Sequence, residues 1–417
     1  MQDPDRLRPS ELRALAFWLW LGCIGFGGPA GQIAVMHREL VDRKRWLSET
    51  RFLRALSFCM VLPGPEAQQL ASYSGYTLYG IRGALTAGGL FILPGFLVMT
   101  TLSYVYVNHG DTRVVSGIVR GLAIAVVAVV LGAVLRIAGR VLRGPAGWAI
   151  AVTAFVASIA GAPFPLIIAA AAVAGMLAGR RPGLLEPAAH GGPATSPPAA
   201  AGEVHDWRKL RRRIAVGLAV WLTPLAALLA VGGVLGDLAW FFTAAALVTF
   251  GGAYAVLPFV ADAAVHHFGW LTSDQMIAGL ALGETTPGPL ILVNTFVGYM
   301  AGSGDGTAMA IAGAAVATYF TFTPSFLFII IGAPLIDRIP ERGRVASALT
   351  GVTVAVVGVV AGLAVFVGRN VLVDDGRLDV FACLLAAAAF MALRLERVGI
   401  VPVIVACALA GLIEQLV

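Results

Sequence analysis

The stretch LGETTPGPLILVNTFVGY, from Leu282 to Tyr299, decides how this chain folds. Its apolar run would continue as one helix, but Pro287-Gly288-Pro289 interrupts it, and proline and glycine both break helices. A second stretch, LPGPEAQQLASYSGY from Leu62 to Tyr76, carries the same interruption at Pro63-Gly64-Pro65. Each stretch is therefore expected to form two short helices joined at a Pro-Gly-Pro break.

The two Pro-Gly-Pro breaks belong to an internal repeat. They lie 224 positions apart, and Phe26-Gly27-Gly28 recurs at the same offset as Phe250-Gly251-Gly252. Trp46-Leu47 also recurs at this offset, as Trp270-Leu271. Chance seldom aligns three motifs without a gap, so the sequence predicts a duplicated unit.

The domain boundaries follow from the least hydrophobic part of the chain. Residues 180–212 are rich in proline, alanine and glycine and are flanked by arginine clusters, which is typical of a flexible cytoplasmic linker. We assign residues 1–179 to the first repeat and residues 213–417 to the second, with 213–235 as a linking helix.

Charge in the loops indicates that the repeats are inverted. The loop at residues 38–45 contains four basic residues, whereas the matching loop of the second repeat has only His266 and His267. The contrast reverses at the next loops, because residues 337–344 contain three arginines and residues 109–113 only one. Cytoplasmic loops are enriched in Lys and Arg, so equivalent loops are expected on opposite faces of the membrane.

The same rule predicts re-entrant hairpins. The basic residues on both sides of the apolar stretch Leu12–Met36 belong in the cytoplasm, so that stretch is expected to enter and leave by one face. Its two arms, separated at Phe26-Gly27-Gly28-Pro29, would each be about 18–21 Å long, too short for a hydrocarbon core of about 30 Å. An ordinary span kinked at proline is the alternative.

Composition places the chain in a membrane. Of its 417 residues, 59% are hydrophobic and 12% are charged, whereas about 25% of a soluble domain is charged. A single soluble core cannot hide so much apolar surface. The sequence therefore predicts an all-α polytopic membrane protein of two inverted repeats. The formal net charge of +6 is assigned to loops, and nucleic-acid binding is excluded because no basic stripe carries interleaved aromatic residues.

Helix breaks at membrane depth are expected only where they line a cavity. A restarting helix exposes unpaired N–H groups and the positive end of its dipole, so several converging breaks would bind an anion without a buried cation. Close helix packing at the glycines is the alternative. The candidate substrate-binding residues lie at and beside the breaks: Gly27, Gly28, Pro29, Pro63, Gly64, Pro65, Glu66, Gln68, Gln69, Gly251, Gly252, Glu284, Thr285, Thr286, Pro287, Gly288, Pro289 and Asn294.

Polar side chains in these segments have two interpretations. A carboxylate within the bilayer costs about 2.5–3.5 kcal/mol or more, so Glu66 and Glu284 are functional candidates. Each could instead accept hydrogen bonds from a neighbouring helix start. The amide and hydroxyl groups supply neutral donors that suit an oxyanion. No metal site and no cofactor are expected.

The runs LPGPEAQQLASYSGY and LGETTPGPLILVNTFVGY, together with FGGAYAVLP from Phe250 to Pro258, resemble the two-domain chromate ion transporter family. The resemblance covers both halves of the chain. It implies export of chromate across a bacterial inner membrane, and chromate resistance as the outcome. The cytoplasmic N-terminus follows instead from Arg6, Arg8 and Arg13, by the positive-inside rule.

Three matters stay open from the sequence. Chromate and sulfate share shape and charge, so a carrier or channel for sulfate or another inorganic anion is the first alternative. A membrane-embedded enzyme is remote, because neither HExxH nor GxSxG is present. The expected partners of the protein also include the lipid bilayer. The sequence is compatible with a homodimer as well, in which a second copy of the chain is the partner.

The inverted repeat makes a testable prediction about topology. Single cysteines introduced at Arg43 and at His267, in a chain without its native cysteines, should react with an impermeant thiol reagent from opposite sides of the membrane. The measurement is labelling in right-side-out and inside-out vesicles. Labelling of both positions from one face would contradict the inversion.

Overall fold

The computed structural model describes residues 9–26, 28–180, 207–334, 344–374, 376–395 and 398–417. The fold is all-α, as the sequence predicts. In the described ranges the only strands are the two-residue pairs Val373–Asp374 and Arg377–Leu378, which form one small antiparallel ladder. Three expected features lie outside the described residues: Gly27, most of the linker (181–206), and most of the basic loop at 337–344.

The described residues of the first half form seven α-helices, and glycine or proline stands at most of the breaks between them. Their bounds are α1 (Glu11–Ile24), α2 (Gly28–His37), α3 (Glu49–Val61), α4 (Glu66–His109), α5 (Arg113–Val141), α6 (Gly144–Ile159) and α7 (Phe164–Ala178).

The second half begins with a helix that starts at Trp207, earlier than the linking helix expected from Arg213. The bounds are α8 (Trp207–Val231), α9 (Gly233–Val248), α10 (Ala253–Asp262), α11 (Ser273–Thr285), α12 (Val293–Ser303), α13 (Thr307–Gly332), α14 (Arg344–Leu372), α15 (Val380–Arg394) and α16 (Ile400–Leu416).

Helix bounds in the two halves correspond at the offset of the motifs. Helices α3 and α11 begin and end 224 positions apart, and a π-helical turn follows both α2 and α10. Helix α4 is kinked at Tyr79–Gly80, where the φ of Gly80 is 61°. The kink corresponds to the loop between α12 and α13. The orientation of the halves in a membrane stays a prediction.

An aromatic contact closes the first helix pair of each half. The rings of Phe17 on α1 and Trp46 beyond α2 are 5.1 Å apart, and those of Phe241 on α9 and Trp270 beyond α10 are 5.8 Å apart. These two pairs are themselves related by the 224-residue offset. The chain therefore turns back on itself at each Phe-Gly-Gly break, which is the local shape that a hairpin requires.

The two halves interlock through their long helices. Helix α5 packs against α15 and α16, helix α14 packs against α6 and α7, and α5 and α14 pack against each other. The guanidinium of Arg120 on α5 bonds to the carboxylate of Asp379 at 2.8 Å and to that of Glu414 at 2.9 Å. Because each half supplies helices to the packing of the other, neither half can bury its apolar surface alone.

Among the residues that the structure describes, five helices are long and apolar enough to cross a membrane: α4, α5, α8, α13 and α14. Shorter apolar helices of 10–17 residues accompany them, including α6, α7, α9, α15 and α16. Lengths and composition therefore agree with a multi-pass membrane protein.

The contact of α5 with α16 predicts a large effect of one added methyl group. A Cβ at Gly121 would lie 2.1 Å from the carbonyl oxygen of Cys407, whereas a Cβ at Gly132, on the same helix, meets nothing within 4 Å. We expect Gly121→Ala to lower the free energy of unfolding by about 1–3 kcal/mol, as overpacking does. Gly132→Ala should leave it unchanged or raise it by up to about 1 kcal/mol, through helix propensity.

The measurement is thermal unfolding of the purified protein in detergent. Equal melting temperatures for the two variants would mean that the close approach of α5 and α16 is not part of the native packing.

Candidate functional site

Two backbone hydrogen bonds join the helix breaks of the two halves. The N–H of Gly64 donates to the carbonyl of Thr249 at 2.7 Å, and the N–H of Gly288 donates to the carbonyl of Gly25 at 3.1 Å. The donors are 224 positions apart, and so are the acceptors. Each Pro-Gly-Pro loop is thus bonded to the Phe-Gly-Gly break of the other half, and four breaks in apolar helices meet at one place.

Each Pro-Gly-Pro loop also lies against a long helix of the other half. Gly64, with a φ of 122°, faces Ser325 of α13, and a Cβ there would be 2.2 Å from the Ser325 hydroxyl oxygen. On the other side, a Cβ at Gly95 of α4 would be 2.3 Å from the carbonyl oxygen of Pro287. Only glycine allows these backbones to approach so closely.

Gln32 fastens one of these junctions. Its side-chain amide, on the buried face of α2, donates to the carbonyl of Gly25 at 2.8 Å and to that of Gly288 at 2.6 Å. The sequence-based prediction missed this residue. A lone amide in the otherwise apolar run after Pro29 was the signal, because a buried amide requires partners.

Three helix starts converge beside the junctions. The carboxylate of Glu66, the first residue of α4, lies 3.5 Å from the position that a Cβ of Gly252 would occupy at the start of α10. Gly28 is the first residue of α2. The position that a Cβ of Gly28 would occupy lies 3.8 Å from the hydroxyl of Tyr254, in the first turn of α10. Their unpaired N–H groups and positive dipole ends therefore occupy one region.

The second carboxylate is held by a tyrosine. The hydroxyl of Tyr254 donates to the carboxylate of Glu284 at 2.8 Å, and both side chains are buried. Glu284 therefore comes from α11 and its hydrogen-bond partner from α10.

The amide side chains predicted as anion ligands are used inside the protein. Gln68 donates to Ser72 at 2.9 Å, Gln69 donates to the carbonyl of Pro63 at 2.8 Å, and Asn294 donates to Thr321 at 3.0 Å. In the part of the chain that the structure describes, the carbonyl ends of these amides have no hydrogen-bond partner. A free acceptor does not attract an oxyanion, so this arrangement favours a role in holding the loops.

The hydroxyl groups near the second break behave similarly. Thr285 donates to the carbonyl of Leu282 at 2.8 Å, and Thr286 donates to that of Gly283 at 3.2 Å. Both bonds close the last turn of α11 before the Pro-Gly-Pro loop. Local satisfaction of this kind is common for threonine at helix ends.

Other predicted site residues take up the ends of helices. Pro65 and Pro289 immediately precede helical turns, and Pro29 is the second residue of α2. Gly251, with a φ of 81°, lies against Val356 of α14. The structure thus gathers the glycines and both carboxylates around the breaks and places Gly251 at their edge.

Comparison with known proteins identifies a family that this chain matches. A family model described as chromate transporter matches residues 12–176 and 236–412, two segments that begin 224 positions apart. No solved structure is significantly similar to this chain.

Three named relatives are similar over most of their length. The chromate transport protein of Pseudomonas aeruginosa is 34% identical over 95% of this chain and 90% of its own. The probable chromate transport protein of Synechococcus elongatus is 30% identical over 90% of both chains. The chromate transport protein of Cupriavidus metallidurans is 29% identical over 86% of this chain and 82% of its own.

A matched pair of glycines tests whether the breaks form the site. Gly288 and Gly306 both have a φ of 96°, but a Cβ at Gly288 meets Leu292 at 3.1 Å and Gly95 at 3.5 Å, whereas one at Gly306 meets nothing within 4 Å. We expect Gly288→Leu to reduce oxyanion flux in sealed vesicles at least about a hundredfold, since misplacing binding groups by about 1 Å has that effect. Gly306→Leu carries the same backbone strain and should retain most of the flux.

Flux is compared at equal amounts of protein in the membrane. Wild-type flux in Gly288→Leu, or equal loss in both variants, would show that the approach of the second Pro-Gly-Pro loop to α4 does not matter for transport.

Proposed function

The chain belongs to the chromate transporter family, and from this premise we propose that it exports chromate from the bacterial cell as a secondary transporter. One observation supports this site: four helix breaks meet. Backbone hydrogen bonds join them in pairs, between Gly64 and Thr249 and between Gly288 and Gly25. Non-helical backbone at membrane depth is tolerated where it is buried or lines a cavity.

Chromate would bind at the convergent starts of α2, α4 and α10. A tetrahedral dianion accepts hydrogen bonds on every oxygen, and the free N–H groups of a helix start are donors that need no buried cation. Gly28 leaves room for an oxygen to approach the backbone at the start of α2, because it carries no Cβ.

The two carboxylates limit where the dianion can lie. Glu66 borders the start of α10, so an ionised Glu66 would repel chromate bound beside Gly252. Glu284 is turned toward Tyr254 by their hydrogen bond. We therefore place the anion on the α2 side of these helix starts, away from Glu66.

Transport would proceed by alternating access between inverted repeats. In carriers of this type the site lies near the bilayer midplane at the repeat interface, and one bundle rocks against the other. The Gly64–Thr249 and Gly288–Gly25 hydrogen bonds each join one repeat to the other. Rocking of one repeat against the other would therefore stretch one of these two bonds more than the other. The N-terminus and the linker would face the cytoplasm.

The membrane potential is sufficient to drive export. A potential of about 100 mV, inside negative, is worth about 2.3 kcal/mol for each elementary charge, so a departing dianion gains about 4.6 kcal/mol. At about 1.4 kcal/mol for each factor of ten, this supports an outward gradient of more than about a thousandfold. Export on this scale would confer chromate resistance on a bacterium that carries the protein in its inner membrane.

The decisive experiment is chromate flux into inside-out vesicles with an imposed potential, lumen positive. Chromate should accumulate in vesicles that contain the protein and not in vesicles without it. Unlabelled sulfate is the competitor, because it has the same shape and charge. Accumulation of labelled sulfate that chromate does not inhibit would reassign the substrate to sulfate. Absence of any oxyanion flux would contradict the proposal.

Replacement of Glu66 separates a structural carboxylate from a proton carrier. Glutamine keeps the size and hydrogen-bonding capacity of Glu66 at the start of α4, and it removes a negative charge beside the proposed anion. We expect Glu66→Gln to retain at least about a tenth of the potential-driven flux without a pH gradient, and Glu66→Leu to lose it, because leucine leaves the helix start without a polar partner.

Both variants are assayed beside wild type with and without a pH gradient. If Glu66→Gln is as inactive as Glu66→Leu while wild type also requires the pH gradient, the carboxylate carries a proton and potential-driven export is the wrong account of coupling.

A further inference from the structure

An apolar groove with a basic rim lies between α4, α8 and α13, away from the helix breaks. Its volume is about 920 Å³. Its walls come from one face of each helix and include Leu85 and Ile92 of α4, Val216 of α8, and Phe322 of α13. None of these residues belongs to the proposed chromate site, so the groove requires its own explanation.

One end of the groove is strongly basic. Lys209, Arg212 and Arg213 line it at the start of α8. Lys209 and Arg212 are exposed, and Arg213 is half-buried with its guanidinium donating to the hydroxyl of Tyr76 at 3.1 Å. The other α8 residues of the lining, among them Val216 and Val220, follow at helical spacing on the same face.

We propose that this groove binds one anionic phospholipid, with its phosphate on the basic rim and an acyl chain along the apolar walls. Charge and depth both fit this occupant. On α4 the lining runs from Ile81 to Phe96, which is about 22 Å at about 1.5 Å per residue. One leaflet of the hydrocarbon core is about 15 Å thick, half of about 30 Å, so the groove runs from the headgroup level past the whole depth of one leaflet.

The packing of the groove keeps it open. A Cβ at Gly89 of α4 would meet nothing within 4 Å, and this residue lines the groove. The missing side chain therefore leaves space for a ligand. A Cβ at Gly217 of α8 would be 2.0 Å from a methyl group of Leu327 on α13. This contact brings α8 against α13 and closes one side of the groove, so the site has fixed walls rather than a flat helix surface.

The phospholipid would tie three elements together. Helix α8 connects the two halves of the chain, α4 belongs to the first and α13 to the second. Lys and Arg residues beside membrane helices attract anionic lipid. A zwitterionic lipid of the same acyl composition would fill the apolar walls but gain nothing from the rim.

The test is lipid binding to the full-length protein purified in mild detergent, followed by native mass spectrometry. Dioleoyl phosphatidylglycerol and dioleoyl phosphatidylcholine are titrated separately. We expect at least about tenfold tighter binding of phosphatidylglycerol. Lys209→Gln combined with Arg212→Gln should weaken it about 30-fold, which corresponds to about 2 kcal/mol at about 1.4 kcal/mol for each factor of ten.

The chain supplies a matched control on the same helix. Arg208 and Arg211 are also exposed near the start of α8 but do not line the groove. Arg208→Gln combined with Arg211→Gln removes the same charge and should change the affinity less than about threefold. Gly89→Leu, which keeps every charge and places a side chain in the groove, should remove the phosphatidylglycerol adduct.

Several outcomes would overturn the proposal. Equal binding of the two lipids would mean ordinary boundary lipid, and equal loss in the two double variants would mean unspecific surface attraction. Competition by glycerol phosphate as strong as by phosphatidylglycerol would mean a free-phosphate site. If the Lys209–Arg212 variant does not fold, as judged by its melting temperature and elution, the lipid preference of wild type and the Gly89→Leu result decide. All these readouts are independent of transport.

Discussion

A helix break in an apolar environment exposes backbone N–H and C=O groups that need hydrogen-bond partners. The arrangement of the two halves follows from where this chain provides those partners. The Gly64 N–H is bonded to the carbonyl of Thr249, and the Gly288 N–H to that of Gly25. Each half thus completes the hydrogen bonding of the other. An unsatisfied backbone group in hydrocarbon costs several kcal/mol, so the halves are committed to one arrangement.

Glycine at the breaks makes this exchange of partners feasible. A side chain at position 64 would collide with Ser325, and one at position 95 would collide with the carbonyl of Pro287. Glycine also stands at the starts of α2 and α10, at Gly28 and Gly252. The close packing and the proposed anion binding therefore draw on the same breaks, and substitutions there report on both.

Polar side chains around the breaks divide into two groups. Gln32, Gln69 and Asn294 direct their amides to protein acceptors and hold the loops in place. Glu66 and Glu284 are carboxylates near the proposed anion, and Glu284 accepts a hydrogen bond from Tyr254. In the proposed site the backbone would supply the attraction for the dianion, and the carboxylates would limit its position.

The sequence by itself determined the all-α membrane class, the 224-residue offset and the four helix breaks, because hydropathy and the helix-breaking properties of glycine and proline are local. It also marked Glu66 and Glu284 as unusual, since a carboxylate in an apolar run is costly wherever the chain goes. Only the tertiary structure decided that Asn294 bonds to Thr321, that Gln32 bonds to Gly288 and that Tyr254 bonds to Glu284. Those roles depend on contacts between segments up to 256 residues apart in the chain, as in the bond from Gln32 to Gly288, and no local pattern specifies which distant partner a polar side chain will meet.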